Sequence, residues 1–167
     1  MNDAATPMTA LADPARRKIL KGGGALVLAG AFGGVLVRPL HATPEAMQTA
    51  IEAVTGKAKL NAGRVSIDIP PLVENGNTVP CRITVDSPMT QADHVKAIHL
   101  FNEKNPQPNV ISVYLGPRAG KASFSTRIRL SDTQDVVAVA ELSDGSFWTA
   151  SANIIVTLGA CLEDGLI

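Results

Sequence analysis

Aromatic side chains are scarce in this chain of 167 residues, with one Trp, one Tyr and four Phe. A core built from it must be aliphatic and β-branched. Cysteine is scarcer still, at two residues. Two thiols are too few for a disulfide framework, and no paired Cys/His spacing offers a structural zinc site. Neither sign of charge dominates: fifteen Lys and Arg balance fifteen Asp and Glu. No basic patch argues for nucleic acid. No serine stands in a Gly-x-Ser-x-Gly elbow. Long apolar runs are missing too. The run Ala25 to Val37 is diluted by glycine and falls short of the roughly 20 residues that a membrane span requires.

What is present is sorted along the chain. Residues 1–42 hold five of the basic residues (Arg16, Arg17, Lys18, Lys21, Arg38) against Asp3 and Asp13, so the remainder is acidic on balance. Arg16-Arg17 precede the weakly apolar run, and Leu40-His41-Ala42 offers a small-residue end for cleavage. This is the layout of a twin-arginine secretory leader, cut after Ala42. The expected destination is the periplasm, an oxidising compartment, with no membrane attachment after processing. Gly22-Gly23-Gly24 lies inside this leader and is no phosphate loop.

The rest, about 125 residues, suffices for one domain with a proper core. Thr43-Pro44-Glu45 has the chemistry of a helix start: a hydroxyl cap, proline in the first turn and an acid near the positive dipole end. Met47, Ala50, Ile51 and Val54 recur at helical spacing, and Gly56 gives the stop. The period then changes to two. Val65, Ile67 and Ile69 alternate with polar residues up to Pro70-Pro71; Asn75-Gly76-Asn77 is turn chemistry; Cys81, Ile83 and Val85 alternate again. Further strands are expected at 95–101, 110–115, around Ile128 and Leu130, at 136–142 and at 147–158, with a tight turn at Ser143-Asp144-Gly145-Ser146. The fold class expected is all-β: an antiparallel, immunoglobulin-like β-sandwich of about seven strands preceded by one N-terminal helix, over residues 43–158.

The search for chemistry is mostly one of elimination. His94 and His99 are separated by five, an odd number that puts side chains on opposite faces of a regular strand, so a shared metal is not expected and solvated or interface histidines are. Arg127 and Arg129 share a face and read as a solvated one; Asp132 and Asp135 flank a turn. Cys81 sits in the core alternation and reads as buried and inert. No catalytic residues, metal ligands or cofactor site emerge. Cys161 is different. It follows the final strand-like run, Asn153 to Leu158, and Gly159-Ala160, near the end of the sequence, where order is poorest. Residues 159–167 read as a mobile arm, with Gly159 and Ala160 giving it flexibility. The thiol is either offered outward for covalent chemistry or incidental to a frayed tail.

Several blocks decide the matter together. They are Glu74-Asn75-Gly76-Asn77-Thr78-Val79-Pro80, Val85-Asp86-Ser87-Pro88-Met89-Thr90, Glu103-Lys104-Asn105-Pro106, Ser125-Thr126-Arg127-Ile128-Arg129-Leu130, Thr133 to Glu141, and Ser143-Asp144-Gly145-Ser146-Phe147. With them the chain resembles SoxY, the sulfur-carrier subunit of the periplasmic thiosulfate-oxidising (Sox) system. The resemblance implies a helix and sandwich, export by the twin-arginine route, and a heterodimer with a SoxZ-like subunit. It also implies a non-catalytic role: sulfur intermediates ride on one cysteine, here Cys161, and are processed by separate Sox enzymes.

The tail departs from the family pattern, Gly-Gly-Cys-Gly-Gly. Here it reads Gly159-Ala160-Cys161-Leu162-Glu163, continued by Asp164 to Ile167. Leu162 adds bulk where glycine would thread into an enzyme cleft. Glu163 and Asp164 place negative charge beside the thiol, which raises its pKa, lowers the thiolate fraction and repels an anionic adduct. Salt screening softens both effects. The alternative reading is therefore a degenerate SoxY-like subunit that binds a SoxZ-like partner and carries nothing.

Overall fold

The computed structural model describes residues 43–160. The expected leader 1–42 and its cleavage site, Cys161 and the acidic tail lie outside the described residues.

Helix α1 (Pro44–Thr55) begins and ends as its sequence dictates. Thr43 is extended, and its Oγ1 accepts the Ala46 N–H at 3.2 Å. Gly56 closes the helix in the left-handed region, at φ 61°, and its N–H donates to the Glu52 carbonyl at 2.9 Å. Nine strands follow among the described residues: β1 (Leu60–Ala62), β2 (Val65–Asp68), β3 (Leu72–Asn75), β4 (Val79–Val85), β5 (Val95–Asn102), β6 (Asn109–Tyr114), β7 (Ser123–Ile128), β8 (Gln134–Leu142) and β9 (Phe147–Leu158). One turn of 3-10 helix, Pro117–Ala119, stands between β6 and β7.

The strands form two sheets. The larger runs β6-β5-β8-β9, and both β1 and β3 lie along the free edge of β9; the smaller is β2-β4-β7. The sandwich expected from alternation is there, with two differences. There are two additional strands, β1 and β3, and both pair parallel to β9, not antiparallel. At three and four residues they are too short to display a period of two. They cover an edge that β9, twelve residues long, would otherwise expose.

The main core lies between the sheets. β4 alternates strictly, with Val79, Cys81, Ile83 and Val85 inward and Pro80, Arg82 and Thr84 outward. Ile98 and Leu100 of β5, with Val136, Ala138, Ala140 and Leu142 of β8, face it from the larger sheet. β8 is apolar on its other face as well. There Val139 and Phe101 meet Ile51, Met47, Ala50 and Val54 of α1. The helix is thus a third layer, laid on the outer face of the larger sheet. Lys96 forms a bulge in β5, where Val95 pairs with Leu142 and Ala97 with Glu141.

Candidate functional site

The described chain leaves β9 at Leu158 and runs through Gly159 to Ala160, the residue before Cys161. These last residues are bound to the body. The Gly76 N–H donates to the Leu158 carbonyl at 2.8 Å, and the Leu130 N–H donates to the Gly76 carbonyl at 2.9 Å. The Ala160 N–H donates to the Leu130 carbonyl at 2.8 Å. The segment after β9 is therefore tied to Leu130, which follows β7, while the turn after β3 bonds both. Ala160 is buried.

The packing is tight enough to dictate residue type. A Cβ on Gly159 would collide with the Ser131 carbonyl oxygen. A Cβ on Gly76 would collide with the Leu130 carbonyl oxygen and stand 2.9 Å from the Ala160 nitrogen. Neither glycine has positive φ. Both are glycine because backbone passes close to backbone there, not because a special dihedral is needed. The role expected for Gly159 and Ala160, a flexible start to the arm, is thus replaced in the structure by two seated residues.

A polar network shapes the loop that receives them. Asn105 Nδ2 donates to the Arg129 carbonyl at 2.8 Å. Its Oδ1 accepts from the Ser131 N–H at 3.1 Å, from Ser131 Oγ at 3.2 Å and from Gln134 Nε2 at 2.9 Å. Gln134 is 1% exposed; its Oε1 accepts the Lys104 N–H at 2.8 Å, and its Nε2 also donates to the Asp132 carbonyl. Lys104 Nζ pairs with Asp132 at 3.2 Å, and Thr133 Oγ1 accepts the Val156 N–H at 3.0 Å. That lysine, together with the Thr133 N–H, holds the Asp132 carboxyl below its ordinary range. Asn75 Oδ1 accepts the Asn77 N–H and fixes the turn around Gly76. Sequence reading placed Gly76, Asn105, Leu130 and Gln134 within blocks carrying the SoxY resemblance but gave them no role. Four distant blocks meeting the last described residue is a fact of topology, invisible in one dimension.

The other candidate residues sit elsewhere. Cys81 is 2% exposed with a free thiol; burial, and then the charge of Asp68, push that thiol up to about 11. It stays protonated and is a poor nucleophile. His99 is buried, not solvated, with Nδ1 2.8 Å from Ser112 Oγ and its ring against Phe101 and Tyr114. The β5 bulge also breaks the count that put His94 and His99 on opposite faces: Val95 and Ile98, likewise an odd number apart, share one core. Among the described residues no three His, Cys, Asp or Glu side chains converge as metal ligands. Arg127 and Arg129 are exposed, as expected. An open cleft bordered by Arg64, Arg82, Lys121 and Ser123 lies at the far end of β4 from Val79, away from the tail root.

Three exposed apolar side chains, Leu72, Ile155 and Leu158, lie along β3 and the end of β9, with Leu72 paired directly to Ile155. They mark the same end of the larger sheet as Ala160.

Comparison with curated proteins finds no match. Among solved structures, the chain is similar to the sulfur carrier protein SoxY from Chlorobium limicola f thiosulfatophilum. The two are 27% identical over 68% of this chain and 98% of that one, with a TM-score of 0.58. It also shares its fold with the superoxide reductase (neelaredoxin) from Ignicoccus hospitalis, at 17% identity over 70% of this chain and 95% of that one, with a TM-score of 0.51. The family model described as "Sulfur oxidation protein SoxY" matches residues 51–161, so that its match ends on Cys161. That stretch is well over half of the sequence and holds the whole sandwich together with the seated root, and the chain belongs to the SoxY family.

Proposed function

We propose that this protein is a covalent sulfur carrier, non-catalytic in itself, which binds thiosulfate-derived sulfur on Cys161 and presents it to separate Sox enzymes. The observation that carries the reading is the family match running through the sandwich and ending on Cys161. The chemistry of the two thiols supports it. Cys81 is buried and held protonated, which leaves Cys161 as the thiol for loading. Joining Cys161 to thiosulfate forms one S–S bond, releases the thiol proton and passes two electrons to an acceptor on the oxidising partner enzyme. Later enzymes act on the bound sulfur without releasing it.

Intact mass of the mature protein, before and after incubation with thiosulfate and the Sox enzymes, tests this. An adduct on the parent that Cys161→Ser abolishes is the expected result. An adduct that persists in Cys161→Ser overturns the assignment. The tail favours one rival, a subunit that pairs but does not carry, since Leu162, Glu163 and Asp164 stand where glycines belong. Parent protein that never loads, under conditions that load a Gly-Gly-Cys-Gly-Gly tail, would establish the rival.

The proposed partner is a SoxZ-like subunit, and the proposed compartment the periplasm, reached by the twin-arginine route. Co-expression should yield a stable heterodimer, against which a monomer purified from the same cells would count. Replacing Arg16 and Arg17 with lysine should trap precursor in the cytoplasm. Continued export would reject the route.

A further inference from the structure

We propose that the body carries a socket for the root of the carrier segment, and that Gly76, Gly159 and Asn105 are positioning residues for Cys161. The inference rests on Cys161 as the attachment point but concerns where that thiol starts from. Gly76 bonds both the Leu158 carbonyl and the Leu130 N–H, and Ala160 bonds the Leu130 carbonyl. Two glycines without positive φ are required by contact with carbonyls across the seam. The loop supplying those carbonyls, Arg129 to Asp132, hangs on the Asn105 side chain and on buried Gln134.

The socket resets the geometry of delivery. An arm hinged at Leu158 would give the thiol three free residues of chain, about 10 Å. An arm seated through Ala160 leaves one step of about 3.8 Å between its last fixed Cα and that of Cys161. An enzyme taking sulfur from this carrier must then come up against the turn at Gly76 and the loops at Asn105 and Ser131. Gly159 sets the departure point by close fit. It is not a pivot.

Amide hydrogen exchange on the unsubstituted mature protein tests the seat directly. The Ala160 amide should exchange at least tenfold more slowly than in an unstructured peptide. An unprotected Ala160 amide overturns the proposal, and no variant has to fold for that result. The second arm uses nitroxides on Cys161 and on Ser151→Cys, an exposed position roughly 30 Å away along β9, in a Cys81→Val background. The distance distribution should be narrow in this parent and at least twice as wide in Gly159→Ala, Gly76→Ala and Asn105→Ala. Substitutions that lower the melting temperature but leave the width unchanged would make these residues structural only and overturn the proposal. Neither readout involves sulfur chemistry. A protected Ala160 in a protein that never loads thiosulfate would sink the carrier reading and keep the socket. A loaded Cys161 beside an unprotected Ala160 would do the reverse.

Discussion

Cys81 and His99 are both buried titratable groups, and burial pushes each toward its neutral form. For Cys81 this means a packed thiol with no call on sulfur chemistry. Cys81→Val, close in volume, should cost under about 1.5 kcal/mol in urea denaturation and leave loading on Cys161 intact. Lost loading in a folded Cys81→Val protein would show that the core thiol takes part. For His99 the consequence is a dependence on pH. Burial lowers its pKa, while the negative charge of Glu141 pulls the other way. The unfolded chain takes up this proton near pH 6.5, the folded one only at lower pH. The stability that rests on a neutral His99 is therefore complete above that value and is lost as pH falls through the lowered one. Urea midpoints should fall between pH 7 and pH 5 in the parent, and His99→Gln should flatten part of that slope. Identical slopes would refute the assignment. Cys81 was legible in the sequence because β4 keeps strict alternation over its whole length. His99 was not, because alternation carries no sign of which face a helix will cover, and the neighbouring bulge removes the parity that separates it from His94.

At the scale of elements, α1 was readable from its cap, its stripe and its stop, since each is a local signal. Its partner surface was not. A helix of twelve residues is marginal alone in water, so α1 persists because Ile51 is pressed onto Phe101 and Val139. Ile51→Ala should destabilise the protein by about 2–5 kcal/mol and release the helix first, seen as early exchange of amides 47–55. A cost within a few tenths of a kcal/mol would mean that the third layer is dispensable. The long strands β4, β8 and β9 announced themselves by periodicity or by continuous apolar character. β1 and β3 did not. Leu60-Asn61-Ala62 has no β-branched residue, and β3 follows two prolines that read as an ending. Both exist because the open edge of β9 pairs with them, a tertiary cause with no local signature.

At the scale of the molecule, blocks at 74–80, 103–106, 125–130 and 133–141 supply the turn and loops that meet Ala160. The sequence resemblance identified those blocks and located Cys161 beyond them. It could not reveal that they converge, because convergence follows from the sheet order. What lies past Ala160 sets delivery. The substitutions Leu162→Gly and Glu163→Gly, with Asp164 to Ile167 removed, take away bulk and two acidic side chains beside the thiol. Turnover with the Sox enzymes should rise, by more at low ionic strength than at high, where screening already blunts the charge. Equal turnover of the two tails across salt would dismiss bulk and charge as obstacles and leave the carrier role untouched.

The position of β9 governs the order in which this protein can form. It is the last strand of the described chain, yet it pairs with β8 on one side and with both β1 and β3 on the other. While the ribosome still holds residues 147–158, β1 and β3 have no partner, and β8 lacks a neighbour along one whole side. The larger sheet can close only once nearly the entire sequence has emerged, and contacts so distant along the chain form slowly. A nascent chain halted at Gly145 would present unpaired strand edges, the surfaces on which intermediates aggregate. Completion of the body and seating of the carrier root are one event, so a chain whose sheet has closed already has its thiol at the point of departure.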